Sequence, residues 1–346
     1  MALITVSPVS YAQNPAQWDE LLRNDSLQYP LGSPLDQEYS RAYVPHISFR
    51  DLSMIAVAVG RPIAGVQVTA HALAQGREVL DFCGRPMFLR TNREAGAEPS
   101  GRAERMLAEE FCNLRQSLRY PAFNYLEMSP QGRLSEFAIT LLKSGCGGAP
   151  VYKQVIDLSC DETSLRSDIR KSYRSLVNWG ERELSITVHD HRNTKPETVE
   201  EFRQLHIGVA GKETRSPETW RLQFRQIAED QAFMITGRLN GQLVTAALFL
   251  HSQSYCFYGV SASIREMFDK PLSHAILWRS ILEAKRRGCR VYEMGDLAHL
   301  YPQGYPDKEK SIAVFKRGFG GAALLQLRIG GGSENEHTKN PLSVSA

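Results

Sequence analysis

Apolar runs follow the same order in two separate stretches of this chain. Residues 54–71 contain two apolar runs separated by a Gly-Arg-Pro segment, and residues 233–251 contain two runs separated by Asn240-Gly241. Short apolar runs on either side of a turn dipeptide are typical of a β-hairpin, and Asn-Gly is the strongest short-range signal for one. A third apolar run follows each hairpin, at residues 78–83 and 254–260. Each stretch therefore predicts an antiparallel β-meander.

A helix and a further strand are predicted after each meander. Residues 102–118 have apolar positions at helical spacing and precede an apolar run at 123–128. Residues 272–287 show the same spacing between Pro271 and a glycine, which favour the start and the end of a helix, and precede the run at 290–294. Each half is thus predicted to contain a helix, a meander, a helix, a strand, a helix and a strand.

The repeat of this order after roughly 170 residues predicts two domains of one architecture. Chance similarity between two α/β segments is the alternative explanation. A chain of 346 residues exceeds the usual size of a single core, and the Gly-Gly-Ala-Pro segment at 147–150 marks a boundary. We therefore expect a first domain at residues 1–150, a second domain at 151–330 and a flexible tail at 331–346.

Composition and charge narrow the function classes. Apolar residues make up 42% of the chain and charged residues 23%, as in an ordinary globular protein. The net charge of +3 is divided into −1 over residues 1–150 and +4 over residues 151–346. This surplus suits an anionic substrate but is too small for a dedicated nucleic-acid-binding domain. No apolar run approaches the roughly 20 residues that span a bilayer, and the first residues do not resemble a secretory signal, so a cytoplasmic protein without a transmembrane segment is expected.

Several kinds of catalytic and metal site are not indicated. The six cysteines are scattered and form no C-x-x-C pair, which argues against a zinc site and against a disulfide framework. The sequence contains no nucleophile elbow, no Walker loop and no cluster with metal-ligand spacing. We therefore expect reduced thiols, no metal and no tightly bound cofactor.

The segment with the most distinctive chemistry lies at residues 307–321. A helix is predicted here by three apolar residues at helical spacing, which are Ile312, Phe315 and Phe319. Lys316 and Arg317 lie near its end, Gly318 is close to a C-cap position, and two further glycines would let the backbone pass close to a ligand. A cation pair in this setting suits a phosphate or a developing oxyanion. The alternative is a solvated helix end, with its cations near the negative end of the helix dipole.

The predicted order of elements resembles that of the acyl-CoA N-acyltransferase (GNAT) fold, in which two neighbouring strands splay and leave backbone amides free to bind an acyl carbonyl. GNAT enzymes begin the helix after the meander with a Gly-rich loop that holds the CoA pyrophosphate. Residues 263–274 contain no glycine at this place, and Pro271 has no amide proton. Residues 90–102 contain glycines but do not match the loop either. Neither half is predicted to bind CoA in the usual way.

A doubled GNAT-like fold without the CoA loop resembles the Fem family of aminoacyl-tRNA-dependent transferases and its FemAB-like relatives. Four segments carry the resemblance: Phe-Lys-Arg-Gly-Phe-Gly-Gly at 315–321, the helix at 271–288, the strand at 292–296 and a basic helix at 165–180. The resemblance implies an α/β fold with two tandem GNAT-like domains, each a mixed, mainly antiparallel sheet flanked by helices. The long helical arm of some members is missing between residues 195 and 231, which implies the minimal, armless type.

The resemblance places Lys316 at the reacting centre, where an ammonium would stabilise the oxyanion that forms when an amine attacks an ester or thioester. Arg317 is a second cation beside it. Asp296, at the end of a predicted strand, and Tyr258, on the third strand of the second half, are candidates to accept or relay the amine proton. A strand-end cap and a core aromatic are the respective alternatives. His274, near a helix start, is a candidate substrate contact or base, with packing as its alternative.

Further basic residues are candidates to bind the acceptor. Arg170 and Arg174 share one face of the predicted basic helix, and Lys171 lies beside them. They suit the phosphates of a nucleotide- or lipid-linked acceptor, whereas a solvated helix face is the alternative. The residues expected to close over the acceptor flank the Lys316 segment, and they are Tyr305, Lys308 and Lys310.

Three functions fit these observations. The first is transfer of an activated acyl group, aminoacyl from aminoacyl-tRNA by the resemblance, to a primary amine of a cell-envelope or secondary-metabolite precursor. The second uses an acyl thioester, acyl-CoA or acyl-carrier protein, to acylate an amino sugar in polysaccharide biosynthesis. The third is a binding module without activity that captures an anionic ligand.

Overall fold

A computed structural model describes residues 3–73, 77–128, 132–267, 269–297, 300 and 306–331. Contacts divide the chain into two units. The first unit contains the described residues of 3–28, 32–151 and 325–331, and the second contains those of 29–31 and 152–324. Both units are mixtures of helices and mainly antiparallel strands.

The first unit is built from short strands and helices. Its strands are β1 (Ile4–Pro8), β2 (Arg50–Asp51), β3 (Met54–Ala58), β4 (Arg61–Val66), β5 (Thr69–Ala72), β6 (Glu78–Asp81), β7 (Leu89–Thr91) and β8 (Ala122–Glu127). Its helices are α1 (Pro15–Arg23), α2 (Pro34–Tyr43), α3 (Ala97–Ser117) and α4 (Glu136–Lys143). The strands pair in the orders β1-β3-β4-β7 and β8-β6-β5-β2. The predicted order of strands and helices is present, but the meander predicted for the first half is wrong in one respect. Residues 61–71 form two strands, β4 and β5, and the hairpin β3–β4 and the third strand β6 lie in different sheets.

The second unit repeats this order with longer strands. Strand β9 (Gly147–Asp157) leads into it, and its other strands are β10 (Ser185–His189), β11 (Ala232–Leu239), β12 (Gln242–His251), β13 (Tyr255–Ser263) and β14 (Val291–Asp296). Its helices are α5 (Glu162–Asp168), α6 (Lys171–Glu183), α7 (Pro196–Ala210), α8 (Pro217–Ala228), α9 (Leu272–Arg286) and α10 (Asp307–Arg317). The strand order is β10-β11-β12-β13-β14-β9.

The last strand, β15 (Ala322–Gly331), changes the predicted division of the chain. From Leu327 onward it pairs antiparallel with β8, and residues from 325 belong to the first unit. The predicted second domain ended at residue 330, so residues 325–330 lie in the other unit, and residues 29–31 lie in the second rather than the first. Apart from residue 331, the predicted tail lies outside the described residues.

The sheet of the second unit has a core on each face because side chains alternate along its strands. Phe233 and Ile235 belong to a core that includes α9 residues. Their neighbours Ala232 and Met234 belong to a core that includes residues of α7 and α8. The short helices α7 and α8 therefore cover one sheet face, at the place where no long arm was predicted.

The basic helix predicted over residues 165–180 is wrong in one respect, because two helices stand there. Between α5 and α6, Ile169 has an extended backbone with φ −62° and ψ 133° and is 1% exposed. The Arg174 guanidinium donates hydrogen bonds to the carbonyls of Ser167 and Ile169, which satisfies the end of α5. Tertiary burial of Ile169 has overridden the local helical pattern.

In the first unit, the gap between two diverging strands is filled by the chain itself. Strand β6 pairs in parallel with β8 over two residues only. Beyond that point Met87 lies beside Tyr125. The Met87 N–H donates to the Asn124 carbonyl at 2.8 Å, and the Met87 carbonyl accepts from the Leu126 N–H at 2.8 Å. The β8 backbone that a splayed strand pair would leave open is therefore paired in this unit.

Candidate functional site

The corresponding strands of the second unit, β13 and β14, also diverge, and among the described residues no other strand pairs with β13 on that side. The Tyr29 ring lies near the point of divergence, 5.1 Å from that of Tyr255 and 6.2 Å from that of Phe257. Strand β13 pairs in parallel with β14 only where Tyr255–Phe257 lie beside Val291–Glu293. Beyond Phe257, β13 continues to Ser263 beside β12 alone. A bulge places Gly259 as an extra residue between the pairs formed by Tyr258 and Val260 with β12. The backbone edge of β13 beyond Phe257 therefore faces a wedge, a setting in which amides could bind a carbonyl oxygen.

Lys316 reaches the open end of this wedge from the last turn of α10. Gly295, two residues beyond the last β14 residue that pairs with β13, has φ +88°, and a Cβ added there would lie 3.2 Å from the Lys316 Nζ. A β-bulge interrupts the pairing of β14 with β9 between Glu293 and Gly295. The glycine and the bulge leave room for the lysine ammonium at the end of β14.

Glycines after Lys316 fix the end of α10 against the protein. A Cβ on Gly318 would overlap the Tyr173 ring, and one on Gly321 would overlap the Val155 carbonyl. Gly320 has φ +86°, and its Cβ would lie 2.5 Å from an Asp168 carboxylate oxygen. The interpretation that these glycines let the backbone approach a ligand is therefore replaced by a packing role. Their function is to bring the segment close to α5, α6 and β9.

Hydrogen bonds hold the same segment in place. The Asp168 carboxylate accepts from the Gly321 N–H at 2.6 Å. The Arg170 N–H donates to the Gly318 carbonyl at 2.9 Å, and the Gln154 amide donates to the Gly320 carbonyl. The loop between α5 and α6 thus clamps the backbone that follows Lys316.

An ionic cluster of Lys153, Glu293 and Asp296 lies beside Lys316, and of these three residues only Asp296 was predicted from the sequence to belong to the site. The Lys153 Nζ on β9 lies 2.5 Å from an Asp296 oxygen and 3.5 Å from an oxygen of Glu293. The Glu293 side chain is 0% exposed and that of Lys153 is 14% exposed. The Tyr255 hydroxyl donates to the other Glu293 oxygen at 2.6 Å. The sequence did contain a signal for this cluster. Each of two predicted apolar strands carries a charged residue within it, Lys153 in one and Glu293 in the other.

The two lysines of this cluster differ in their electrostatic surroundings. Burial disfavours the Lys153 ammonium, but Asp296 and Glu293 outweigh it and hold the pKa of Lys153 above its ordinary value. Burial lowers the pKa of Lys316; Asp296 opposes that shift, whereas the Lys153 charge adds to it. Lys316 has no ion-pair or hydrogen-bond partner for its ammonium among the described residues. The two carboxylates therefore keep Lys153 charged, whereas burial and the nearby Lys153 charge outweigh them at Lys316 and leave it easier to deprotonate.

His274 belongs to an aromatic cluster next to the Lys316 segment. Its ring lies 4.6 Å from that of Tyr173, 5.2 Å from that of Phe315 and 6.0 Å from that of Phe319. Burial lowers the pKa of His274 to about 4, so the imidazole is neutral near pH 7. These contacts favour the packing interpretation of His274 over a charged contact to substrate.

The structure separates the basic residues of the predicted helix. Arg170 lies at the N-cap of α6 with its guanidinium 5.1 Å from the Tyr173 ring centre, close to the end of α10. Lys171 is exposed. Arg174 is half-buried and uses its donors on the carbonyls that end α5. Arg170 and Lys171 therefore remain candidate anion contacts, whereas Arg174 has a structural partner.

The other predicted residues lie at varied distances from the wedge. Asp296 stands in the ionic cluster, and Tyr258 stacks on Phe249 at 5.6 Å and shares a 2.5 Å hydrogen bond with the Ser261 hydroxyl. Arg317 is exposed at the end of α10. Lys308 and Lys310 lie in the first turns of the same helix, Lys308 exposed and Lys310 3.3 Å from Asp307. Tyr305 lies outside the described residues.

The start of α9 does not present a phosphate site of the GNAT kind. Its N-cap is Pro271, with no side-chain cap. The Leu272 N–H donates to the Lys270 carbonyl at 2.9 Å, and the His274 N–H to the Pro271 carbonyl at 3.2 Å. Two of the first three amides of α9, where a pyrophosphate would bind, therefore already have partners.

Solved structures share this fold. The crystal structure of FemX matches with a TM-score of 0.65 at 11% identity, over 94% of this chain and 96% of that one. The C-terminal domain of a putative lysylphosphatidylglycerol synthetase from Agrobacterium fabrum matches with a TM-score of 0.58 at 12% identity, over 92% of both chains. L-PGS from Bacillus licheniformis matches with a TM-score of 0.57 at 12% identity, over 91% of both. No family model and no curated protein sequence matches the chain.

These matches confirm the predicted fold class, a mixed α/β fold of tandem GNAT-like architecture. Within the described residues, no helix is long and apolar enough to cross a membrane, and no group of three or more His, Cys, Asp or Glu side chains could hold a metal ion. The six cysteines are free thiols.

Proposed function

We propose that the protein is an N-acyltransferase that moves an activated acyl group to a primary amine, with its reacting centre in the second unit. The observation that carries the proposal is the position of Lys316, whose ammonium reaches the open end of the wedge between β13 and β14. A splayed strand edge offers backbone amides to an acyl carbonyl, and a nearby cation stabilises the oxyanion formed on attack. The matching fold of FemX supports the assignment.

The preferred donor is an aminoacyl-tRNA. At the start of α9 the Leu272 and His274 amides already have partners and Pro271 stands at the cap, which disfavours the CoA pyrophosphate. The fold is shared with FemX and with L-PGS. An ester of tRNA needs no pyrophosphate cradle at this helix, so the donor could reach the wedge without one.

An acyl-carrier thioester is the second candidate donor. Helices α7 and α8 end at Ala210 and Ala228 and form no long arm among the described residues, so the surface that a tRNA could contact is small. A carrier protein also presents its thioester on a long flexible group without relying on the α9 amides. The acceptor in that case would be an amino sugar of a surface polysaccharide.

An anionic acceptor fits the cations near the end of α10. Arg170 and Lys171 are exposed at the start of α6, and Arg317 is exposed at the end of α10. The Arg170 backbone touches Gly318, so this charged surface is continuous with the Lys316 segment. A nucleotide- or lipid-linked precursor carrying a primary amine has the phosphates to match, and we place the protein in the cytoplasm.

The test is transfer of a radiolabelled amino acid or acyl group to an amine-bearing product in an extract of the producing cell, supplemented with the purified protein. Pretreatment with RNase should abolish transfer if the donor is aminoacyl-tRNA. Persistence after RNase, with loss after thioester cleavage by hydroxylamine, would assign a thioester donor, and repeating the assay with purified acyl-CoA or acyl-carrier protein would tell these two apart. If no label moves with either donor and Lys316→Met leaves the pathway product unchanged, the protein is a binding module and the proposed activity is wrong.

A further inference from the structure

Two lysines and two carboxylates form a single electrostatic group at the end of β14. Asp296 and Glu293 lie at 2.5 Å and 3.5 Å from the Lys153 Nζ. The Lys316 Nζ lies over Gly295, between these carboxylates along the strand. The charged groups that act on Lys316 from the packed strands are thus Asp296 and Glu293 on β14 and Lys153 on β9, and those on its own helix include Arg317 and the exposed Lys308.

Both ion pairs of this group are formed by Lys153 and none by Lys316 among the described residues. Both carboxylates contact Lys153, whose side chain is 14% exposed. Removing the proton from Lys153 would leave the fully buried Glu293 without a counter-charge, which is costly. Lys316 forms no ion pair among the described residues, and a second positive charge stands close to it. Lys316 is therefore the member of the group that can lose its proton at the lowest cost.

We propose that Lys316 takes the proton from the attacking amine, and that Lys153 is a positioning residue whose permanent charge, fixed between Glu293 and Asp296, keeps Lys316 ready to accept it. This inference rests on the proposed transferase function, because it names the proton path of that reaction. The proposal also explains how a lysine that is neutral before the reaction can stabilise an oxyanion. The positive charge on Lys316 arises at the moment when the neighbouring oxyanion forms.

The proposed step balances in atoms and charge. The amine nitrogen of the acceptor forms the new C–N bond, and the carbonyl electron pair moves to oxygen. The neutral Lys316 amine takes one proton from that nitrogen and becomes an ammonium. The oxyanion pair then re-forms the carbonyl, the bond from carbon to the donor oxygen or sulfur breaks, and the leaving group takes the proton from Lys316. Lys316 returns to its starting state.

The first experiment needs neither donor nor acceptor. The full-length protein is acetylated with a trace of acetic anhydride between about pH 6 and about pH 11, a range that spans ordinary lysine titration, and the modification of each lysine is followed by mass spectrometry. Lys316 should reach half of its maximal reactivity at a lower pH than the exposed Lys308. Lys153→Met should raise that midpoint and lower the Lys316 reactivity at neutral pH by roughly tenfold, the effect of one pKa unit. Lys153→Arg should leave it nearly unchanged.

Two further variants guard against misfolding and non-specific effects. Asp296→Asn keeps the side-chain shape, and its side chain is 45% exposed; it should move the Lys316 midpoint the opposite way, to lower pH. Lys285→Met removes a lysine whose ammonium donates to the Leu158 and Cys160 carbonyls and should leave the midpoint where it is. A Lys316 midpoint equal to or above that of Lys308, or one that neither Lys153→Met nor Asp296→Asn moves, overturns the proposal whatever the transfer assay shows.

The second experiment links the proton to the reaction. In the transfer assay, kcat/KM should rise with pH as Lys316 loses its proton. In Lys153→Met this rise should move to higher pH, as the acetylation midpoint does. A shifted midpoint with an unshifted rate profile would show that Lys316 titrates as described but does not carry the amine proton. Absence of transfer with a shifted midpoint would instead count against the proposed function.

Discussion

At the scale of single residues, Lys316 is the side chain on which the proposed reaction depends. Lys316→Met should lower kcat by about 10²- to 10³-fold with little change in the KM of the acceptor, because the lost charge acts mainly in the transition state. Lys316→Arg should restore little, since a planar guanidinium neither replaces a compact ammonium nor gives up its proton. Steady-state kinetics measure both. A raised KM with an unchanged kcat would indicate binding of an acceptor phosphate instead.

Val59 offers a residue-scale test of stability. The two hairpins have matching turns, with φ 51° at Val59 and φ 51° at Asn240, a left-handed conformation that suits asparagine and strains a β-branched residue. Val59 is 85% exposed, so little apolar burial is lost on replacement. Val59→Asn should stabilise the protein by about 1 kcal/mol and Asn240→Val should destabilise it by a similar amount. Urea unfolding of the two variants checks both signs, and equal midpoints in all three proteins would contradict the turn argument.

At the scale of elements, the site depends on how α10 is fastened rather than on α10 alone. Gly320→Ala would place a Cβ 2.5 Å from an Asp168 oxygen at a residue with φ +86°. Gly60→Ala is a matched control, because Gly60 has φ +77° and open space around its Cβ position. Both should lose about 1–2 kcal/mol from the backbone conformation, measured by urea unfolding. Only Gly320→Ala should also change the acetylation of Lys316, because it displaces the Asp168 carboxylate that holds the segment after Lys316. If Gly320→Ala and Gly60→Ala change Lys316 acetylation equally, Asp168 does not position this lysine.

At the scale of the whole molecule, the two units have a similar order of elements but place different partners around the glutamate of one corresponding strand, β8 in the first unit and β14 in the second. Both contain a Glu-Met pair late in the strand after the long helix. Glu127 of the first unit accepts hydrogen bonds from the Tyr125 and Ser135 hydroxyls at 2.7 Å and 2.6 Å. Glu293 of the second unit faces Lys153 instead. Together with the pairing of Met87 into the gap beside β8, this difference explains why the candidate site lies in the second unit.

Local sequence determined the elements and their order. Asn240-Gly241 specifies its hairpin because both residues accept a left-handed backbone, and the Pro271 start of α9 follows from the missing amide proton of proline. The helix that carries Lys316 was predictable from its apolar spacing. Each of these signals acts within a few residues, so the sequence alone is sufficient to reveal it.

Tertiary structure decided which of these elements meet. Lys153 and Glu293 lie far apart in sequence and become neighbours only because β9 pairs with β14. Burial of Ile169 broke a helix that its local pattern favoured, and the clamp of Asp168 on Gly321 followed from that break. Strand adjacency and side-chain burial depend on long-range packing rather than on local periodicity. The sequence therefore determined the helix that carries Lys316, and only the fold decided which charges surround that lysine.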